Sequence, residues 1–138
     1  MDPSSSTRHP LTGTGSDVTV VSYGPSMPIL FAAADAAAAE GRSLELIDLR
    51  SLSPLDLGPV IDSVRKTGRL VVVSEAPRES SITSDIAARV TEAAFYSLAA
   101  PVLRVAGFDT PYPPSRLEDL YLPDLDKVLD AVDRALAF

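Results

Sequence analysis

Few side chains in this sequence could carry chemistry. Glu75 and Glu79 lie four residues apart with Arg78 between them, the residue types of a carboxylate acid–base pair whose charge an arginine sets. Ser80 and Ser81 follow, and either would be a nucleophile if a base stood beside it. The 138 residues hold no cysteine and one histidine, His9, in a stretch rich in Ser, Thr and Pro. Without a histidine in the body of the chain a Ser-His-Asp arrangement cannot be built. Without cysteine, disulfides, thiolate metal sites and thiol nucleophiles are excluded. A solvated loop is the plainer reading of Glu75–Ser81, because exposed charges contribute little. Tyr23-Gly-Pro-Ser26 is a strand-turn-helix junction whose N–H groups could hold an anion. It lacks both G-x-G-x-x-G and G-x-x-x-x-G-K-[ST], and glycine serves tight turns more often than phosphates. The aspartates of the last helix do not follow a calcium-loop spacing. What remains is a crevice at Gly24, Ser26 and Glu75.

The elements that would position those residues can be read in order. Asp17–Tyr23 is a strand, and Pro25 or Ser26 opens a helix that runs to about Glu40, with Gly41 as its stop. Leu44–Arg50 is a second strand, with Asp48 and Arg50 at its end as an ion pair for the following loop or as functional groups. Asp56 is a plausible cap for a helix over Leu57–Lys66. Arg69–Glu75 then carries an unbroken apolar run, Leu70 to Val73. A half-buried antiparallel strand would alternate, so this run predicts a parallel strand covered on both faces. Ser81, Thr83 or Ser84 caps a helix reaching about Leu98, and Val102–Val105 is the fourth strand. Gly107–Pro114 is an irregular segment fixed by prolines and aromatics. Leu122-Pro-Asp124 starts a last helix whose Leu125, Val128, Leu129, Val132 and Leu136 form one stripe. The β-α-β-α-β-α-β-α order predicts an α/β fold of three layers (α/β/α). Its doubly wound, mostly parallel sheet has four core strands in the order 2-1-3-4. The switch point then falls between the first and third strands, beside Gly24–Ser26 and Glu75.

Twelve Lys plus Arg against nineteen Asp plus Glu give a net charge of −7. Nucleic acid and anionic membrane surfaces are therefore not expected partners. No apolar run approaches a membrane span, and no apolar segment follows the first charges, so a cytoplasmic protein is expected. Residues 1–16 have the composition of a flexible tail or expression remnant, leaving 17–138 as one domain. The first helix is mostly alanine, with Asp35 and Glu40 its clear polar residues. It reads either as an ordinary surface helix or as one whose outer side another subunit covers.

Several segments now stand in one order: Asp17-Val-Thr-Val-Val-Ser-Tyr-Gly24, Ile47-Asp-Leu-Arg-Ser-Leu-Ser-Pro-Leu-Asp56, Lys66-Thr-Gly-Arg-Leu-Val-Val-Val-Ser-Glu75, Ala100-Pro-Val-Leu-Arg-Val-Ala-Gly107, Asp109-Thr-Pro-Tyr-Pro113 and Tyr121-Leu-Pro123. Together they resemble the C-terminal domain of the E1 β subunit of 2-oxoacid dehydrogenase complexes, a transketolase C-terminal-like domain. The resemblance covers Asp17–Phe138. Glu75-Ala-Pro77 and Gly107–Pro113 look closer to the branched-chain type than to pyruvate dehydrogenase. Other thiamin enzymes, transketolase and deoxyxylulose-phosphate synthase, share a related domain and are the alternative, with an independent small-ligand module as a third.

The resemblance implies an oxidoreductase that uses thiamin diphosphate and Mg²⁺ to decarboxylate a 2-oxoacid and acylate the lipoyl group of E2. It also implies that this chain holds neither cofactor, because the family's cofactor sits between the α subunit and the N-terminal β domain. Alone, the chain is expected to be inactive. Expected partners are the E1 α subunit, a second E1 β subunit and the peripheral subunit-binding domain of E2. Family members dock that basic E2 domain on acidic groups of β, including the C-terminal carboxylate, which Phe138 supplies if the natural chain ends there. Three departures stand out. Members often carry an acidic residue where this chain has Ala99, and a glycine-rich turn where it has Ser80–Ser84. They also have an antiparallel strand before Asp17, for which Met1–Gly15 is a poor replacement; the expectation there is either an extra antiparallel N-terminal edge strand or an open sheet edge.

Overall fold

The computed structural model describes residues 11–13, 15–50, 55–77, 81–107 and 124–138. The run that dominates the sequence divides its side chains between two faces. Val71 and Val73 join Val18, Val20, Leu44 and Leu46 in one core layer, while Leu70 and Val72 join Val21 and Ile47 in the other. Both layers are covered, so neither face of these strands needs polar residues.

The strands are β1 (Leu11–Gly13), β2 (Val18–Ser22), β3 (Leu44–Asp48), β4 (Leu70–Pro77) and β5 (Leu103–Gly107). They form one sheet in the order β1-β3-β2-β4-β5. The four core strands are parallel and follow the expected 2-1-3-4 order, with Val18 opposite Leu44, Thr19 opposite Leu70 and Val71 opposite Leu103. Helices α1 (Met27–Ala39) and α4 (Leu125–Leu136) close one face; α2 (Gly58–Thr67) and α3 (Ile82–Ala94) close the other. Short 3₁₀ turns at Gly24–Ser26 and Phe95–Ser97 flank α1 and α3. Asp124 caps α4 by accepting from the Lys127 N–H at 2.9 Å.

α1 buries Leu30, Ala33 and Ala37 against the sheet. Among the described residues nothing covers its outer side, where Phe31 is 45% exposed.

At the N-terminal edge the structure has the antiparallel strand rather than the open edge. The sheet begins inside the segment whose composition reads as a tail: β1 pairs antiparallel with β3, Leu11 opposite Ile47 and Gly13 opposite Leu46. Backbone hydrogen bonds form this edge, and they need no apolar side chains. Gly15 makes the path possible, because a Cβ there would lie 2.3 Å from the Leu44 carbonyl carbon. Only glycine lets the chain cross from the outer side of β3 to β2 at such close approach. The Asp17 N–H then donates to the Ser43 carbonyl at 2.9 Å, and the Ser43 N–H to the Asp17 carboxylate at 2.7 Å.

Candidate functional site

The strand order sends β3 and β4 to opposite sides of β2, so the switch point opens at the C-terminal ends of β2 and β4. Gly24 turns the chain there with φ of 59°, and it is exposed. Ser26 is buried and makes no capping hydrogen bond to α1. Glu75 is half-buried. Between them, the strands are stitched by neutral pairs. Ser22 Oγ donates to the Val73 carbonyl at 2.6 Å, and the Tyr23 and Ser74 hydroxyls meet at 2.7 Å. These bonds use Ser22, Tyr23 and Ser74, next to Ser26 and Glu75 in the chain.

The opposite end of the sheet holds the charge. Glu45, the second residue of β3, is 1% exposed. Its carboxylate accepts hydrogen bonds from Lys66 Nζ and Ser63 Oγ on the last turns of α2, and from the Gly15 N–H. Burial alone would raise its pKa. The hydrogen bonds from Lys66 and Ser63, the Lys66 charge and the Gly15 N–H outweigh that and hold it below the ordinary glutamate value. Thr19 extends the cluster, bonding Ser63 Oγ at 2.6 Å and Thr67 Oγ1 at 2.8 Å. Thr67 Oγ1 in turn donates to the Arg69 carbonyl at 3.0 Å.

Arg69 carries this end to the surface. Its Nε donates to the Ala135 carbonyl at 2.9 Å and its NH2 to the Phe138 oxygen at 3.5 Å, placing a cation against the C-terminal end of α4. One residue earlier, the Gly68 carbonyl accepts from the Ala99 N–H at 2.7 Å. Ala99 and Phe138, far apart in sequence, are thus held at the same end of β4. Both are exposed, Phe138 by 67%.

Two recesses flank β5 here. One, open and about 1150 Å³, is lined among others by Thr91, Phe95, Tyr96, Ala99, Pro101 and Arg104. The rings of Phe95 and Tyr96 meet edge to face at 5.5 Å and are 63% and 99% exposed. The other, about 340 Å³, is lined by Leu103, Arg134, Ala137 and Phe138. Arg104 and Leu103 are neighbours on β5, so the recesses lie on opposite faces of the sheet.

Among the described residues no group of three or more His, Asp or Glu is placed to hold a metal ion. These described residues offer no donor set that fits Mg²⁺ coordination. Also among the described residues, no helix is long and apolar enough to cross a membrane. Of the residues singled out from sequence, His9, Arg78, Glu79, Ser80, the segment 108–114 and Tyr121–Pro123 lie outside the described ones. Sequence reasoning missed Glu45, Lys66, Arg69 and the Phe95–Tyr96 pair. A glutamate inside the otherwise apolar Leu44-Glu-Leu-Ile47 was the one available signal, since such a residue needs a buried partner.

A doubly wound α/β domain with an antiparallel edge strand and no catalytic set among its described residues is the class of protein these observations define. The family described as "Transketolase, C-terminal domain" matches residues 10–128, and the chain belongs to it. It is 60% identical over 125 residues to the pyruvate dehydrogenase E1 component subunit beta of Leifsonia xyli subsp. xyli. It is 52% identical over 124 residues to the 3-methyl-2-oxobutanoate dehydrogenase subunit beta of Mycobacterium tuberculosis. These matches take in 91% and 89% of this chain but 37% and 36% of the relatives, so the chain spans little more than a third of their length. Among solved structures, a split-gene transketolase described as an inactive beta4 tetramer superposes with a TM-score of 0.79 at 29% identity. That match covers 94% of this chain and 41% of the other. A 2-oxoglutarate:ferredoxin oxidoreductase from Magnetococcus marinus shares the fold, with a TM-score of 0.62 at 9% identity over 94% of this chain and 20% of its own.

Proposed function

We propose that this chain is the C-terminal assembly and docking domain of an E1 β subunit in a thiamin-dependent 2-oxoacid dehydrogenase. The observation that carries the reading is the 60% identity, over nearly all of this chain, to a protein named as such a subunit. The geometry supports a binding role over a catalytic one, because the buried Glu45 carboxylate is already paired with Lys66 and Ser63 while the exposed aromatics lie around β5. In this reading thiamin diphosphate and Mg²⁺ are held by other parts of the enzyme, which is cytoplasmic. The partners are the E1 α subunit, a second β subunit and the peripheral subunit-binding domain of E2. The E2 domain docks at the end of β4 where Arg69 holds Phe138 and Gly68 holds Ala99. The acidic balance of the chain, net −7, favours a basic partner there and makes its binding salt-sensitive.

Titration of the purified chain with that E2 domain at low and physiological salt tests the docking role. Saturable binding that weakens with salt is the expected result; none at either salt overturns docking and leaves assembly. The pure chain, supplied with thiamin diphosphate and Mg²⁺, is expected to turn over no 2-oxoacid.

The branched-chain type rests on Glu75-Ala-Pro77 and Gly107–Pro113, and the 52% identical mycobacterial protein bears a branched-chain name. The 60% identical protein bears a pyruvate name, so both acids belong in the assay of the enzyme reconstituted with its α subunit. Turnover of pyruvate without 3-methyl-2-oxobutanoate would overturn the branched-chain part alone. The split-gene transketolase, at 29% identity, supports a second reading as the C-terminal domain of another thiamin enzyme. Transketolase activity in the reconstituted enzyme would establish it.

A further inference from the structure

Resting on the docking reading above, we propose that the larger recess beside β5 is the anchor of that surface. A cationic side chain of the basic E2 domain seats there, against Glu92, Phe95 and Tyr96.

The core of this domain does without aromatic rings. It is built from valine, leucine, isoleucine, alanine and one methionine, and among the described residues no aromatic ring is fully buried. Rings kept at the surface are available for contacts, and such side chains dominate the energetics of interfaces. Phe95 and Tyr96 stand together, 63% and 99% exposed, with their rings edge to face at 5.5 Å.

The pair is fixed from both sides. α3 gives way after the buried Ala94 to the 3₁₀ turn Phe95–Ser97. Beyond the turn, the Leu98 N–H donates to the Phe95 carbonyl at 3.2 Å, and Leu98 packs on the core. The Ala99 N–H then donates to the Gly68 carbonyl at 2.7 Å, so the turn is continuous with the docking end of β4. Rings with few rotatable bonds on a fixed turn lose little entropy when a partner seats on them.

The charges choose a cation. Two charged residues line the recess, Glu92 and Arg104. Arg104 is half-buried, and its NH1 donates to Ser84 Oγ at 2.6 Å. Arg89, also on α3, lies 3.7 Å from the Asp85 carboxylate. Glu92 is exposed and stands one helical turn before the rings, bordering the same recess. A ring face and a carboxylate together attract a guanidinium or an ammonium, one through its quadrupole and the other through its charge. The smaller recess across the sheet is lined by Arg134, and Arg69 lies at the same helix end. A basic partner therefore meets its acid on the Glu92 side of β5.

The test is calorimetric titration of the full 138-residue chain with the peripheral subunit-binding domain of E2 at low salt. Tyr96→Ala should weaken binding about tenfold and Glu92→Gln about fivefold. Asp35→Asn removes the same charge from an exposed position on α1, on the other face of the sheet, and should change binding less than about twofold. The double variant should lose less than the product of the single losses, because both groups hold one cation. Tyr96 and Glu92 are exposed, so both variants should melt at the wild-type temperature. Wild-type affinity in Tyr96→Ala and Glu92→Gln overturns the anchor and leaves docking intact. Equal losses in Glu92→Gln and Asp35→Asn also overturn it, since net charge alone then steers the partner. A wild-type chain that binds nothing overturns the anchor and the docking reading together.

Discussion

At the C-terminal ends of β2 and β4, neutral side chains pair off one to one, Ser22 with the Val73 carbonyl and Tyr23 with Ser74. At the N-terminal ends of the same sheet, a buried carboxylate gathers a lysine, a serine and a backbone N–H, and threonines extend the cluster toward Arg69. Open α/β sheets usually place their ligand crevice at the first of these ends. Here the crossover geometry is present, and Ser22 and Tyr23 beside it are engaged in cross-strand bonds. The unusual electrostatics lie at the other end, around a buried carboxylate, and they join elements: the crossing before β2, β3, α2 and the start of β4. A switch point is thus a topological opportunity, and the side chains facing it decide whether it is used.

The sharpest way to break this contrast is Lys66→Met, which keeps the apolar stem and leaves Glu45 buried without its cation. Removing one partner of a buried pair costs about 3–5 kcal/mol, and the half-exposed lysine lowers the expectation to about 2–3 kcal/mol in chemical denaturation. A loss comparable to that of a single neutral hydrogen bond would erase the difference between the two ends.

Next comes acid. Because Glu45 titrates lower in the folded state than unfolded, the unfolded chain binds the extra proton, and stability rises with pH through that range. The contribution is fully present above the unfolded glutamate value and is lost as pH falls through the depressed folded one. Stability measured against pH should therefore show an acid-side decline that Glu45→Gln flattens. An unchanged decline would place the titrating group elsewhere.

The C-terminal end should respond less. Ser22→Ala leaves the Val73 carbonyl without its side-chain donor and should cost about 1 kcal/mol. Tyr23→Phe, at a part-buried pair, should cost about 0.5 kcal/mol. If either change instead opened a site that binds anions in calorimetry, the stitches would be the reason the cleft is closed, which would sharpen the comparison.

Much of the fold was legible because burial on both faces leaves a one-dimensional trace. Leu70–Val73 reads as covered because every residue in it meets a core layer, and the stripe of Val128 and Val132 on the last helix reads as one face for the same reason. Helix ends were less legible. Asp56 stands one residue before the observed cap, Leu57, and its carboxylate accepts from the Gly58 N–H at 2.9 Å instead. β1 was invisible in composition, because its pairing uses backbone groups that every residue carries.

The sequence by itself determined the covered strands and left no histidine or cysteine in residues 17–138, since these follow from residue types and local periodicity; the strand order was an expectation from crossover rules that the sheet then bore out. Only the tertiary structure decided what Glu45 and Gly15 do. Their partners lie across the fold: Ser63 and Lys66 for the one, the Leu44–Glu45 backbone for the other. A buried charge and a missing side chain have meaning only once the groups they meet are brought into contact, and that contact is made by the sheet.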